Sequence, residues 1–362
     1  MLLTVAGFYG TLAATRAVGR AGIPVIMADS RLLAPARWSR FVARRERCPP
    51  VEQPQQLLEW LLEFGAQAPG AVLYPTCDEL AWLFSRHREE LGRVFRLYQP
   101  PLEAVYALLH KGQLQANAQA VGLDVPPTFF PRDEAQLEEV ARQVRYPVLL
   151  KPQTQIFHAL HSKGQQAETP EQLREGFRAA CAEDTYSGAL HDFDPEATRP
   201  MVQQFFTEAA EGIYSISGFI DASGKLVAAR AAHKVLQRPR KLGIGLCFDA
   251  AEVEPGLAAG LEALAKRVGY YGVFEAEFIR AGGRSLLIDF NPRFYSQMAF
   301  DEDRGLSLAQ LVHAAACGDG ARVQALAEAA RTWKAGGRHA YRHGFVLEVT
   351  LRAQGLSGRF SA

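Results

Sequence analysis

Residues 286–298 read LLIDFNPRFYSQM, an apolar run that carries an acid, an amide and a guanidinium at every second position. On a strand, successive side chains point to opposite faces, so Asp289, Asn291 and Arg293 share one face while Ile288, Phe290 and Pro292 share the other. The first face has the chemistry of a site and the second that of a core. Just upstream, VFEAEFIRAGGRS completes a hairpin with this run. With a three-residue loop, 282–284, Ala281 pairs with Ser285, Glu277 falls directly opposite Asp289, and Asn291 lies one diagonal step away. A two-residue Gly282-Gly283 turn shifts this pairing by one unless a bulge restores it.

Two carboxylates facing each other in an apolar hairpin repel, and desolvation makes the repulsion costly unless one protonates or a cation sits between them. Glu277, Asp289 and the Asn291 amide oxygen, with no His or Cys, form a hard oxygen set suited to Mg²⁺, with Mn²⁺ as the alternative ion. Mg²⁺ binds few protein groups and completes its shell with water and phosphate oxygens, which points to a nucleoside triphosphate. The competing reading is a solvated sheet face on which Arg280, Arg293 and the acids pair among themselves. No GxxxxGK[ST] segment is present, and Gly224-Lys225 is followed by Leu226, so a P-loop is excluded. Lys111 at a helix start and Lys151 at a strand end are instead point charges for phosphate oxygens.

The elements that must position these groups fall into three regions. Residues 1–103 begin with strand, Gly turn, helix closed by Gly22 and a second strand ending at Asp29, a βαβ unit that requires a parallel sheet. Helices are expected over 54–64 and 78–91 with the strand AVLYPT between them, making one small α/β domain. Residues 104–318 are of α+β type. They hold a helix from Lys111 stopped by Gly122, the strand YPVLLKP ending on Lys151 and Pro152, strands RPMVQQFF and GIYSISGFIDASGKLVAARAAHKV, and then the hairpin. A first lobe, 104–200, and a second, 201–318, are expected, followed by a C-terminal extension, 319–362, with a helix-like run and the strand-like GFVLEVTLRA.

As a set and in this order, Lys111, YPVLLKP, the loop HSKGQ, the hinge VQQFF, Glu211, Glu277 and LIDFNPR resemble the ATP-grasp superfamily, in particular its carboxylate-amine ligases, over residues 1–318. The resemblance implies a Rossmann-like leading domain before a two-lobed ATP-grasp domain. It also implies that Lys111 and Lys151 contact ATP phosphates, with Ser162, Lys163 and Gly164 in a loop closing over them. Gln204 with Phe205 and Phe206 would receive the adenine and Glu211 the ribose. Glu277, Asp289 and Asn291 would hold Mg²⁺, with Arg293 near the transferred phosphate and, with Lys151, catalytic. The implied reaction activates a carboxylate as an acyl phosphate for attack by an amine, an amino acid being one such substrate. A carboxylase or kinase using the same acyl-phosphate route and a non-catalytic ATP-binding protein remain alternatives.

Other segments offer further chemistry. GFYG (7–10) and PTCDE (75–79) follow strands of the leading sheet, where ligands of open parallel sheets bind, although a tight turn and a helix cap at Asp78 explain them equally. The basic stretch 230–245 suits an anionic substrate or plain solvation. His158 with His161, and His339 with His343, have helical pair spacing but no third metal ligand nearby. Gly7, Gly10 and Asp29 stand where a dinucleotide fold places its glycines and ribose acid, but GFYGTL is GxxG, so an NAD(P)-dependent oxidoreductase is the weaker rival.

Bulk composition narrows the classes. With 40 basic and 39 acidic residues in 362, 48% hydrophobic and 22% charged, the chain has no net field for nucleic acid or membrane, and small molecules are the expected partners of a monomer or homodimer. Five scattered cysteines without a CxxC pair favour a reducing compartment. The apolar start, about seven residues without a basic flank, matches neither a signal peptide nor a membrane span, and a cytoplasmic location is expected.

Overall fold

The computed structural model describes residues 1–158, 164–182, 186, 188–210, 212–238, 244–332 and 336–340. Ser162, Lys163, Glu211, His161, His343 and the strand-like run 344–353 lie outside the described residues. The architecture is mixed α/β, with one parallel and two antiparallel sheets.

The parallel sheet comprises β1 (Leu2–Thr4), β2 (Val25–Ala28), β3 (Val42–Glu46), β4 (Val72–Leu73) and β5 (Arg96–Leu97), in the order β3-β2-β1-β4-β5. Between β1 and β2 runs the helix Tyr9–Arg20, whose buried face is built from small residues, Ala13, Ala14 and Ala17, with Val18. Small side chains bring this helix close to its neighbours, and at Gly10 the approach is closest. A Cβ there would stand 2.6 Å from the Tyr295 carbonyl oxygen. Gly22, at φ +76°, ends the helix segment in a conformation that side chains disfavour. The helix expected over 78–91 is two helices, Asp78–Arg86 and Arg88–Gly92, broken at His87. The apolar cluster on this sheet joins Leu3, Val18 and Met27 to Phe219, Met298, Leu308 and Val312, drawing residues from both sides of position 103.

The second sheet has β6 (Thr128–Phe129), β7 (Val148–Pro152), β8 (Gln165–Ala167) and β9 (Pro200–Gln204), in the order β6-β9-β7-β8. Helices Glu134–Gln143 and Pro170–Ala182 cover it through Leu137, Val140, Leu173 and Phe177. The third sheet has β10 (Ile213–Ile220), β11 (Leu226–Arg238), β12 (Ile244–Ala251), β13 (Gly272–Ala281), β14 (Arg284–Asn291) and β15 (Arg338–Ala340). Its order is β14-β13-β10-β11-β12-β15, every neighbour antiparallel. One face of this sheet is core: Phe274, Phe278 and Phe290 pack against Leu114, Leu261 and Leu264 from the helices Lys111–Ala120 and Pro255–Val268. The β10–β11 connection turns where the sequence places it, with the Asp221 carboxylate accepting from the Ser223 and Lys225 backbone N–H groups. No helix among the described residues is long and apolar enough to cross a membrane.

Candidate active site

The register of β13 and β14 decides whether the acids meet. The turn is the two-residue one, Gly282-Gly283, with both glycines at positive φ, and Ala281 pairs with Arg284 instead of Ser285. That pairing holds through Phe278 and Leu287, and then shifts by one, so that Glu277 stands opposite Asp289 and Glu275 opposite Asn291. Ile288 is the extra residue. Burial explains why a bulge sits there. Without it Asp289 would face Ala276 in the phenylalanine layer and Phe290 would face Glu275; with it Phe290 joins that layer at 1% exposure. The bulge also moves Ile288 off the face expected for it, since it packs beside Ile279 and Leu286 instead of with Phe290.

Each of the two facing carboxylates is met by a lysine. Lys111 donates to Asp289, and Lys234 on β11 donates to Glu277 at 2.6 Å, reaching across β10 where the small Ser215 stands opposite Glu277. Burial opposes the charge on Lys234, which is 8% exposed, but Glu277, Glu275 and Asp289 together outweigh it and raise its pKa. Lys111 is placed by its helix: His110 caps the N-terminus, its Nδ1 accepting from the backbone of Gly112 and Gln113. The Lys111 backbone N–H donates to the Gln153 carbonyl at 2.8 Å, just beyond the end of β7. One residue thus ties the second sheet to the hairpin.

Asn291 and Arg293 belong to a chain of side chains. The Asn291 amide donates to Glu275 at 2.6 Å, and its Oδ1 accepts from Arg293 at 2.8 Å. Arg293 also donates from Nε to Asp78 at 2.7 Å and to the Phe294 carbonyl at 3.0 Å. Burial works against the guanidinium, yet Asp78 more than offsets it and holds the pKa above the ordinary range. Asp78 is therefore the acceptor for Arg293, and Cys77 occupies the cap position with no side-chain capping bond. Glu275, 2% exposed, also accepts from Gln297. Burial and the adjacent Glu277 raise its pKa.

Among the residues expected at the phosphates and base, Lys151 sits on β7 with its ammonium 3.5 Å from the Gln203 amide oxygen. Gly164 lies against the same strand at φ +129°, where a Cβ would come within 2.6 Å of the Leu150 carbonyl. Gln204 closes β9, and its amide nitrogen donates to the Arg145 and Pro147 carbonyls at 3.0 and 3.3 Å. Phe205 and Phe206 follow half-buried, with Phe206 packed on the cluster of Ile213 and Ile279. Neither His158 nor His339 is helical: the first bridges Tyr186 and the second is on β15. Asp29 accepts from the Ala6 and Arg31 backbone N–H groups at 2.5 and 2.7 Å, so its carboxylate braces the loop after β1.

Sequence reasoning missed Lys234, Glu275 and Gln297. The i, i+2 spacing of FEAEF was a usable signal for Glu275; no local pattern singles out Lys234, which lies inside the broad basic stretch. Among the described residues no three His, Cys, Asp or Glu side chains are arranged to hold a metal ion. The arrangement present is a carboxylate pair compensated by cations, and such a pair accommodates a divalent ion whose other ligands are water and phosphate.

The same fold occurs in solved proteins. The biotin carboxylase domain of Hydrogenobacter thermophilus 2-oxoglutarate carboxylase, crystallised with MgADP, ADP and bicarbonate, matches at TM-score 0.67 and 18% identity over 88% of this chain and 69% of that one. Biotin carboxylase from Campylobacter jejuni, in a β,γ-ATP complex, matches at 0.68 and 16%, over 87% and 70%. The L-amino acid ligase of Bacillus licheniformis matches at 0.64 and 14%, over 87% and 73%. The chain has the ATP-grasp fold in its biotin carboxylase-like arrangement. No protein-family model matches it, and neither does any curated protein sequence.

Proposed function

We propose that this protein is an Mg²⁺- and ATP-dependent ligase that activates a carboxylate as an acyl phosphate and couples it to an amine. The observation that carries the reading is the facing Glu277 and Asp289, each held by a lysine from a different element, on the hairpin of an ATP-grasp fold. Glu277 and Asp289 would hold the ion, and Asn291 would join them by turning its Oδ1 from Arg293. When bound, Mg²⁺ supplies charge neutralisation at the phosphate oxygens. Lys111, Lys234 and Lys151 supply fixed positive charge where anions approach one another, and Arg293, held by Asp78, adds a guanidinium that cannot lose its proton. Lys151 and Gly164 lie side by side, as a phosphate site requires, and Phe205 and Phe206 give the base an apolar surface. No side chain has to act as a covalent nucleophile.

A phosphate-release screen with MgATP, pooled small carboxylates and pooled amines tests the proposal. Release that needs both a carboxylate and an amine supports it, and no release with any pool rejects it. Because several of the structural neighbours are biotin carboxylases, bicarbonate belongs in the screen. Release with bicarbonate and an amine-free acceptor would favour the carboxylase reading.

A further inference from the structure

A pocket of 640 Å³ opens at the carboxyl ends of the parallel strands, with Thr4, Phe8, Leu57, Glu79 and Phe157 in its lining. Its volume suits a small organic ligand, and the edge is where open parallel sheets bind theirs. The pocket is maintained at a cost to the fold. Val5 and Phe157, both in its lining, are the two non-glycine residues at positive φ among those described, +56° and +54°. A β-branched residue in that region is strained, and such strain clusters where a ligand is held. Thr4, 2% exposed, keeps a hydroxyl with no hydrogen-bond partner among the described residues. A buried hydroxyl of this kind is able to pair with a polar ligand group.

Glu79 sets the sign of that group. Its carboxyl lies beside Asp78, but Arg293 spends its Nε on Asp78 and not on Glu79. Burial, and then the neighbouring Asp78 charge, raise the Glu79 pKa, while a hydrogen bond from Cys77 and the Arg293 charge offset only part of that. The lining holds three carboxylates, Asp29, Glu52 and Glu79, against Arg31, and with the apolar Phe8, Leu57 and Phe157 it matches a donor-rich cation on a hydrocarbon body.

We infer that this pocket binds a primary ammonium compound with an apolar body, its ammonium at Glu79 and the Thr4 hydroxyl. As the amine site of the ligase, the inference rests on the proposed function. The connection between the two is short: Glu79 adjoins Asp78, Asp78 holds Arg293, and Arg293 donates to Asn291 on the hairpin.

The test is isothermal titration of the nucleotide-free full chain with 2-phenylethylamine and isoamylamine, with N-acetyl-2-phenylethylamine as the neutral control. The amines should bind saturably and the acetylated control should not. Glu79→Gln should weaken the amines about ten-fold or more, the loss expected for a hydrogen bond to a charged group, without moving the thermal unfolding midpoint enough to unfold the chain. Leu57→Trp, which fills the cavity, should abolish binding, and it decides the matter if Glu79→Gln does not fold. Equal binding of the control, no binding of either amine, or unchanged affinity in both variants overturns the inference. MgATP titrated separately keeps the two ideas apart. Amine binding without MgATP binding removes the ligase and keeps the pocket, and MgATP binding without amine binding does the reverse.

Discussion

The Lys111 ammonium donates to Asp289, 178 positions further along the chain. The contact joins a helix start, anchored through its backbone just beyond the end of β7, to the Asp289 position of β14, opposite Glu277. It leaves an ammonium and a carboxylate side by side where a phosphate and its cation would enter. On this reading the lysine and the acid neutralise each other until the ligand takes one partner each.

Asp289→Ala should lower MgATP-dependent phosphate release by about 100-fold or more, since losing a residue that merely supports a metal ligand already costs about 10–100-fold. The fold should survive, because the Asp289 side chain is about a third exposed and water can reach the lysine left behind. An Mg²⁺ titration of phosphate release, with circular dichroism as the control, makes the check. Undiminished turnover at low Mg²⁺ would remove the assigned role.

Deleting Ile288 should remove the bulge and leave one regular ladder, with Leu287 still opposite Phe278, Asp289 still opposite Glu277 and Phe290 still in the apolar layer. The deletion variant should therefore lose only the packing of Ile288 beside Ile279 and Leu286, about 1–2 kcal/mol in urea unfolding, and should keep MgATP-dependent phosphate release. A loss of about 3 kcal/mol or more would show instead that the carboxylate had been driven into the phenylalanine layer.

The Lys234–Glu277 pair should behave as a buried ion pair. Lys234→Ala alone strands a carboxylate and should cost about 3–5 kcal/mol, whereas Lys234→Met with Glu277→Leu should restore most of that loss. Denaturant unfolding of both singles and the double gives the coupling energy. The double variant should stay inactive, because it recovers packing without recovering charge. Independent, additive effects would show that the pair is not coupled.

Glu275 makes stability depend on pH. Its folded-state pKa is raised by burial and by Glu277, so the folded chain keeps a proton that the unfolded chain releases above about 4.3. The stability gained from that proton is full below the unfolded pKa and is lost as pH rises through the folded one. Wild-type stability should therefore fall between mildly acidic and neutral pH, and Glu275→Gln, which keeps an acceptor oxygen for Gln297, should flatten that slope. Chemical unfolding at a series of pH values reads the difference; parallel slopes would contradict it.

Much of this arrangement was legible from residue type and period. The alternation in LIDFNPR separates Asp289 and Asn291 from Phe290, and the βαβ opening requires the parallel sheet, because both follow from side-chain geometry along a local backbone. The pairing of Glu277 with Asp289 was legible only as a condition, since two different turns reach it and only one needs a bulge. Asp78 read as a helix cap by its position, yet the fold brings Arg293 to it from 215 positions away. Within the basic stretch 230–245 nothing local singled out Lys234, because its partner lies two strands distant across β10.

By itself the sequence determined that Asp289 and Asn291 share a strand face apart from Phe290, and where the helices at Pro54 and Lys111 begin, since those depend on neighbours a few residues apart. The tertiary structure alone decided the bulge at Ile288, the lysine assigned to each carboxylate and the strained pocket at Val5 and Phe157. Those outcomes depend on keeping a charge out of an apolar layer and giving it a counter-charge, and both are settled only when distant segments are brought together.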